Sequence, residues 1–423
     1  MDKNEKDIKS EVSALQFVDQ GIYQSALQYA HFNAERDAFG RFRISSPYTL
    51  FDSYQRYKDN GKFDTSLTGT GSTAVHMTNE SVINMTVGVG SSAEVIRESK
   101  KVFAYQPGKS MLIMSSFVFN TPKNNLRQRV GFFGAFNGVY FEQDGLNTNF
   151  VLRSYTSGSI NERRIPRSQW NGHKFDGTDF YQRNLDVSKG NIFWADLEWL
   201  GVGDVRVGFT IDGTNITAHT FHNDNLFDTT YMTTATLPLR YEITNTAATG
   251  SSSTMKQICS TVISEGGFEA KGDIFTKSTP IVTANMVDLG SAGTRTPILS
   301  LRLKSTNLDA VIIPVAIDLM LTSSDLVFFE VVMNGQFPGT PVFTSYANNS
   351  YAETAIGGTT MTGGTVIDGG FIYQKGQKSL TAHEVFNYQL GRTLSGVSDV
   401  ITIVGTSNGA NTKVAAAMGW YEL

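Results

Sequence analysis

Residues 204–221 read DVRVGFTIDGTNITAHTF, and their pattern decides the fold class. Val205, Val207, Phe209 and Ile211 alternate with Arg206, Gly208 and Thr210, the period of two that sends successive side chains to opposite faces of a strand. Asp212-Gly213 follows, a pair that accepts the positive φ of a tight hairpin, and Ile216–Phe221 returns as the partner strand. Leu237, Leu239, Tyr241 and Ile243 repeat the alternation against Arg240 and Glu242, with Pro238 at the strand's beginning, where its missing N–H is tolerated. Asn-Gly recurs at 60, 137, 171, 334 and 408 and Asp-Gly at 144, 176, 212 and 368, so turns punctuate the whole chain. Met111 to Phe119 is nearly all apolar, which predicts a strand covered on both faces.

Composition agrees with strands. Charged residues are 17% of the 423, against about 25% in ordinary domains, and Gly, Ser, Thr and Asn take their place. The balance of 35 Lys+Arg against 39 Asp+Glu leaves a net charge of −4, without the basic excess of a nucleic-acid binder. No run of about 18 apolar residues exists to cross a membrane, and the N-terminus lacks the apolar core of a signal peptide. Cys259 is the single cysteine, so no intrachain disulfide or Cys-based zinc site forms, as suits a reducing cytoplasm. It is expected in the core.

The first segment differs. Ile8, Val12, Leu15, Val18 and Ile22 fall at helical steps of three and four, predicting one amphipathic helix whose apolar stripe needs a partner, either the chain's own body or a neighbouring subunit. The expected organisation is an N-terminal helix and attachment arm over 1–46, a first β-sandwich over 47–264, a Gly-containing linker at 265–280 and a C-terminal β-sandwich over 281–423. The fold class is therefore all-β: two antiparallel sandwiches of jelly-roll or lectin-like kind, with the helix and extended arm in front.

The search for chemistry returns weak signals. Gly69-x-Gly71-x-x-Ala74 and Gly88-x-Gly90-x-x-Ala93 fit a loose dinucleotide pattern, but no βαβ context surrounds them, so strand ends are the better reading. Asp196 and Glu198 stand two apart beside Trp194, which on a strand would put two carboxyls and an aromatic on one face, as in a sugar-hydrolase cleft. Two alternating acids on a strand are usually its solvent face, and the fuller E-x-D-x-x-E arrangement is absent, so the solvent face is the preferred reading. His219 and His222 are three apart, wrong for a shared strand face, and no third ligand for zinc is evident. The loop Asn223–Asp228 could offer oxygens to calcium but lacks the ordered spacing of a known loop. Tyr155 and Trp170 are candidate glycan contacts, although a core-capping role is the favoured reading of Trp170. No cofactor or metal site is expected.

Four order-preserving stretches carry a resemblance: DAFGRFRISSPYTLFDS at 37–53, YQPGKS at 105–110, EWLGVGDVR at 198–206 and LPLRYEI at 237–243. Together they resemble a family of virion structural proteins from tailed bacteriophages, including cyanophages and other large myoviruses. The match covers about 37–263 well and the C-terminal region more loosely, and Phe42 stands where an aliphatic residue is expected. What the resemblance implies is a non-enzymatic part of the particle, synthesised and assembled in the host bacterial cytoplasm. The expected place is a peripheral tail, baseplate or fibre-associated homo-oligomer, with head-surface decoration or a carbohydrate-binding receptor module as alternatives. Its partners would be other virion proteins and a host surface glycan, with no nucleic acid and no membrane. Arg41, Phe42, Arg43 and Tyr48, together with the helix stripe, are the candidate interface, since Arg and aromatic residues anchor buried interfaces.

Overall fold

The strand grammar is realised as four sheets in a computed structural model that describes residues 45–178, 184–269, 271–339, 341–373, 375–381 and 388–423. Sheet I runs in the order β13 (Thr214–Phe221), β12 (Val205–Ile211), β11 (Asn191–Leu197), β6 (Met111–Val118), β15 (Ser253–Ser264), β4 (Val82–Val87) and β3 (Thr73–Met77), with β1 (Tyr48–Ser53) also paired to β15. Sheet II runs β10 (Asn161–Pro166), β9 (Asn147–Ser154), β8 (Gly138–Asp144), β7 (Leu126–Phe133), β14 (Leu239–Asn245), β5 (Glu94–Ser99) and β2 (Phe63–Thr68). Sheet III runs β16 (Asp273–Ser278), β26 (Lys413–Glu422), β19 (Ile312–Leu321) and β24 (Gln377–Thr381), with β17 (Val287–Asp288) also on β26. Sheet IV runs β21 (Thr344–Ser345), β22 (Ala352–Ile356), β18 (Thr296–Leu303), β25 (Val400–Ser407), β20 (Leu326–Met333) and β23 (Thr365–Tyr373). Every strand pairing among the described residues is antiparallel.

The inward faces decide how the sheets pair. Ile113, Phe117 and Phe209 of sheet I meet Phe141, Phe150 and Tyr241 of sheet II in one core, where the rings of Phe141 and Phe209 stand edge to face at 5.0 Å. Ile317, Met418 and Trp420 of sheet III meet Leu299, Phe329 and Ile403 of sheet IV in a second core. The hairpin at 204–221 forms as read: Ile211 pairs with Thr214, and Asp212 and Gly213 take φ of 50° and 77°.

Residues 389–394 stitch the two sandwiches together within the compact unit Pro47–Leu423. The Gln389 amide donates to the Val102 carbonyl at 2.7 Å, Arg392 pairs with Glu98 at 2.6 Å, and the Leu394 N–H donates to Asp64 at 2.7 Å. A small apolar seam of Val102, Ala104, Val311 and Ile313 lies between them.

The outward face of sheet II is a ladder of buried charge. Arg129 bonds Glu142 at 2.8 Å and Glu242 at 3.2 Å; Arg164 reaches Glu142 at 3.0 Å, and Arg240 bridges Glu242 and Glu98 at 3.0 and 3.1 Å. Glu142 and Glu242 are only 0% and 3% exposed. Neighbouring strands present opposite charges in register, so each carboxylate keeps its charge through several guanidinium contacts at once. Arg240 and Arg129 thus hold the Glu242 carboxyl below the usual carboxylate range against the pull of its burial.

Several expectations need correction. Strand β6 is not covered on both faces: Met111, Ile113, Ser115 and Phe117 are buried, while Leu112, Met114, Ser116 and Val118 lie half-buried on the outer face. Cys259 is exposed rather than in the core, because β15 bulges between Gln257 and Ser260 against β6 and turns the intervening residues outward. The segment 265–280 is more than a linker, since Asp273–Ser278 is the edge strand β16. The predicted helix, with Ile8, Val12, Leu15, Val18 and Ile22, and the candidates Arg41, Phe42 and Arg43 lie outside the described residues.

Candidate ligand-binding site

The hairpin β9–β10 and the loop 222–231 that leaves β13 wall a cleft with an empty volume of ≈ 880 Å³. Ser154, Thr156 and Asn161 come from the hairpin; Phe227, Thr229 and Thr230 come from the loop. The two sides are pinned by Arg163 on β10, whose Nη2 donates to Asn223 Oδ1 at 2.8 Å while Asn223, itself fully buried, donates to the Gly203 carbonyl at 2.8 Å. The Arg163 guanidinium lies over the rings of Phe221 at 4.9 Å and Phe227 at 5.7 Å.

Two polar groups here keep unspent hydrogen-bonding capacity: Arg163 Nε and the Tyr231 hydroxyl are buried without a partner. Burial drives the Tyr231 hydroxyl well above its ordinary pKa, so it stays a neutral donor. Phe227, by contrast, is 46% exposed. Beside the cleft, Tyr155 packs on the exposed Phe136 with ring centroids 4.7 Å apart, and Asn137 ties this corner down by accepting the Tyr155 and Thr233 N–H groups at 3.2 and 3.1 Å.

Of the two glycan candidates, the structure brings only Tyr155 to this surface. Trp170 is 2% exposed, lies on Phe150 at 4.3 Å and donates its indole N–H to the Ile165 carbonyl at 3.1 Å, so it fills the core. Phe227 was available to sequence only as a member of the loop Asn223–Asp228. Nothing local marked Arg163, because its role depends on β10 lying opposite a loop sixty residues on.

The histidines separate as their spacing predicts. His219 is buried, accepts the Asn171 N–H at 3.3 Å and is held near a pKa of about 4 by burial and by the charges of Arg163 and His222. His222 sits at the surface, 2.9 Å from Asp204. With Asp224 these two bring three ligand atoms within 4.8 Å of one another, and loop 223–228 supplies only that one carboxylate.

The acid pair is also rearranged. Asp196 is buried on β11, bonded by Ser110 and paired with Arg206, whereas Glu198 lies exposed beyond the strand's end. The acid that joins Asp196 is Glu265, whose carboxyl is raised above its ordinary range by burial and by the Asp196 charge. The glycine motifs fall in the turns after β2 and β4, as strand ends should.

No protein-family model matches this sequence, and no curated protein sequence matches it. Solved structures share parts of its strand arrangement. The carbohydrate recognition domain of Emp47p is 10% identical with a TM-score of 0.32, covering 54% of this chain and 98% of that one. The CBM2 module of the evolved Dit of Lactobacillus casei BL23 phage J-1 is 6% identical with a TM-score of 0.35, covering 54% and 100%. A Bacteroides ovatus mixed linkage glucan GH16 protein is 12% identical with a TM-score of 0.34, covering 50% and 99%. Likenesses this distant carry no function across. The phage module is what accompanies the resemblance to tailed-phage virion proteins, and no family match stands beside it. The expectation of a chain that is not an enzyme is corrected: glucanases recur among the similar structures, so that exclusion is withdrawn.

Proposed function

We propose that the chain is a carbohydrate-binding β-sandwich protein whose glycan lies in the cleft between β9–β10 and loop 222–231. The observation that carries this reading is Phe227, a half-exposed ring held over Arg163 at the mouth of a hydroxyl-lined cleft. A sugar presents an apolar face of C–H groups and a rim of hydroxyls; the ring suits the first, and Arg163, Asn161 and the threonines suit the second. The phage resemblance supplies the setting: a virion component of tail, baseplate or fibre, forming a homo-oligomer through the segment 1–46 and Tyr48 and touching a host surface glycan. A glycan-array screen followed by calorimetric titration tests the cleft. Phe227→Ala is expected to weaken binding by tenfold or more, which is about 1.4 kcal/mol, and no bound glycan at high protein concentration refutes the reading. For the virion setting, removal of residues 1–46 should abolish incorporation into particles.

A second reading rests on Glu265. An acid kept protonated to higher pH beside the Asp196 carboxylate is the environment of a general acid with its partner. Release of reducing sugar from polysaccharides, lost in Glu265→Gln and retained in Glu198→Gln, supports it. No release by the unaltered protein removes it.

A further inference from the structure

Strand β10 ends sheet II and β13 ends sheet I, and the cleft opens where the two sheets stop, against loop 222–231. Alternation along β10 sends Glu162 and Arg164 to the outer charge ladder, where they pair with one another and Arg164 also reaches Glu142. It sends Arg163 the other way, over the ring of Phe221 on β13 at 4.9 Å.

The ladder arginines are all matched by acids. Arg127 and Arg240 pair with Glu242, Arg129 and Arg164 with Glu142, and Arg153 with Glu162. Arg163 pairs with no acid among the described residues. Its hydrogen bond there runs from Nη2 to Asn223 Oδ1, a neutral amide, at 2.8 Å, and its other contacts are the rings of Phe221 and Phe227. Nε is buried with nothing to donate to. The acids of the surrounding segments are turned elsewhere: Asp204 is paired with His222, and Asp224 and Asp228, on the loop itself, are exposed. None of the described residues lining the cleft is acidic.

The ionisation of Arg163 reflects this isolation. Burial draws its guanidinium below the ordinary pKa with only Tyr231 acting against it, whereas glutamates hold Arg129 and Arg164 above theirs despite burial. Arg163 keeps its charge all the same, because a guanidinium does not deprotonate in a protein. A cation taken out of water without an anion is costly, and a buried donor left unmet calls for a group from outside the chain to complete it. Tyr231, only 4% exposed, lines the same cleft with its hydroxyl also unmet.

We infer that the glycan of this cleft is an acidic one, a uronic or sialic acid whose carboxylate sits against the Arg163 guanidinium and beside the Tyr231 hydroxyl while its ring lies on Phe227. The inference rests on the glycan reading above and narrows it to a ligand class. A planar carboxylate matches the fork of a guanidinium, and such charge-assisted bonds are roughly twice as strong as neutral ones. Asn161, Thr229 and Thr230 remain for the sugar hydroxyls.

The test is a glycan array carrying neutral, sulfated, uronate-containing and sialylated glycans, probed with the whole chain, followed by calorimetric titration of the best binder beside its methyl ester, which keeps the sugar and loses the charge. Uronate-containing or sialylated glycans are expected to bind, and whichever binds more tightly names the source of the carboxylate. Esterification should weaken binding about tenfold or more, and salt should weaken the acid more than the ester. Arg163→Gln should bind acid and ester alike, Arg163→Lys should recover part of the preference, and Phe227→Ala should weaken both forms. The ester comparison uses the unaltered protein, so it decides even where Arg163→Gln does not fold. Binding confined to neutral or sulfated glycans, equal affinity for acid and ester, or an acid preference that survives in folded Arg163→Gln overturns the inference and leaves the glycan reading standing. No binding to any glycan overturns both.

Discussion

Replacing Arg129 by Met leaves two buried carboxylates short of a partner, and the structure sets how much that costs. Arg129 gives its Nε to Glu142 and its Nη1 to Glu242, and stacks over Tyr140 at 5.2 Å. Breaking a buried ion pair by removing one member costs about 3–5 kcal/mol. Each acid here retains a second cation, Arg164 at 3.0 Å for Glu142 and Arg240 at 3.0 Å for Glu242. The low end of that range therefore applies, and the lost cation–π contact adds roughly 0.5–1 kcal/mol, for an expected loss of about 3–4 kcal/mol. Urea is the denaturant of choice because it carries no charge to screen the ladder, and tryptophan fluorescence reports on the first sandwich, which holds Trp170, Trp194 and Trp199 of the four tryptophans. Adding Glu142→Gln to Arg129→Met removes one stranded charge, so the double variant should be more stable than the single one by at least about 1 kcal/mol. A single variant that loses under about 1 kcal/mol, with no recovery in the double, would refute the reasoning that these charges are held by mutual pairing.

Further outcomes follow from other sites. His219 has its folded pKa lowered from 6.5 to about 4, so its proton is taken up more readily by the unfolded chain; stability should fall as pH drops from about 6.5 towards 4, by up to roughly 3 kcal/mol, and His219→Phe should flatten that part of the profile. Glu162, held down to about 2 by bonds from Tyr140 and Arg153 that outweigh its burial, loses its contribution in a lower window, below about 4.5. Urea midpoints across the pH range separate the two. Trp170→Ala should cost about 3–5 kcal/mol as a core deletion, and Trp170→Phe should leave glycan binding at the Phe227 cleft intact. Gly138→Ala should cost about 3 kcal/mol or more, because Gly138 has φ 145° and an added Cβ would lie 2.2 Å from the Phe133 Cβ and 2.5 Å from the Phe132 carbonyl oxygen; thermal melting reads it.

Local pattern carried the strands and little beyond them. The alternation over 205–211 and the Asp212-Gly213 turn are properties of neighbouring residues, so they could be read directly, and both form where the sequence places them. Arg240 and Glu242 show the limit. Their alternation with apolar residues marks a strand with one polar face, but that face is buried, because Arg129, Glu142 and Glu98 arrive on other strands to neutralise it. Cys259 escaped for a similar reason: a bulge in register is a relation between two strands and leaves no mark on one. The acid pair fared the same way, with Glu198 adjacent in sequence and Glu265 adjacent in space. The cleft is assembled from segments far apart in the chain, and its residues become legible only once the sheets are in place.

The strand orders also dictate when each half can be completed during synthesis. Strand β1 waits for β15 before it has a neighbour, and β26 is the strand that β16, β17 and β19 all pair with. Sheet III thus has no centre until residue 422 has emerged from the ribosome, while the first sandwich has every strand it needs by residue 264. The nascent chain therefore carries a finished front half and an aggregation-prone rear, with β16 and β19 exposing unpaired edges until β26 has been made. Chaperone demand should concentrate in that interval.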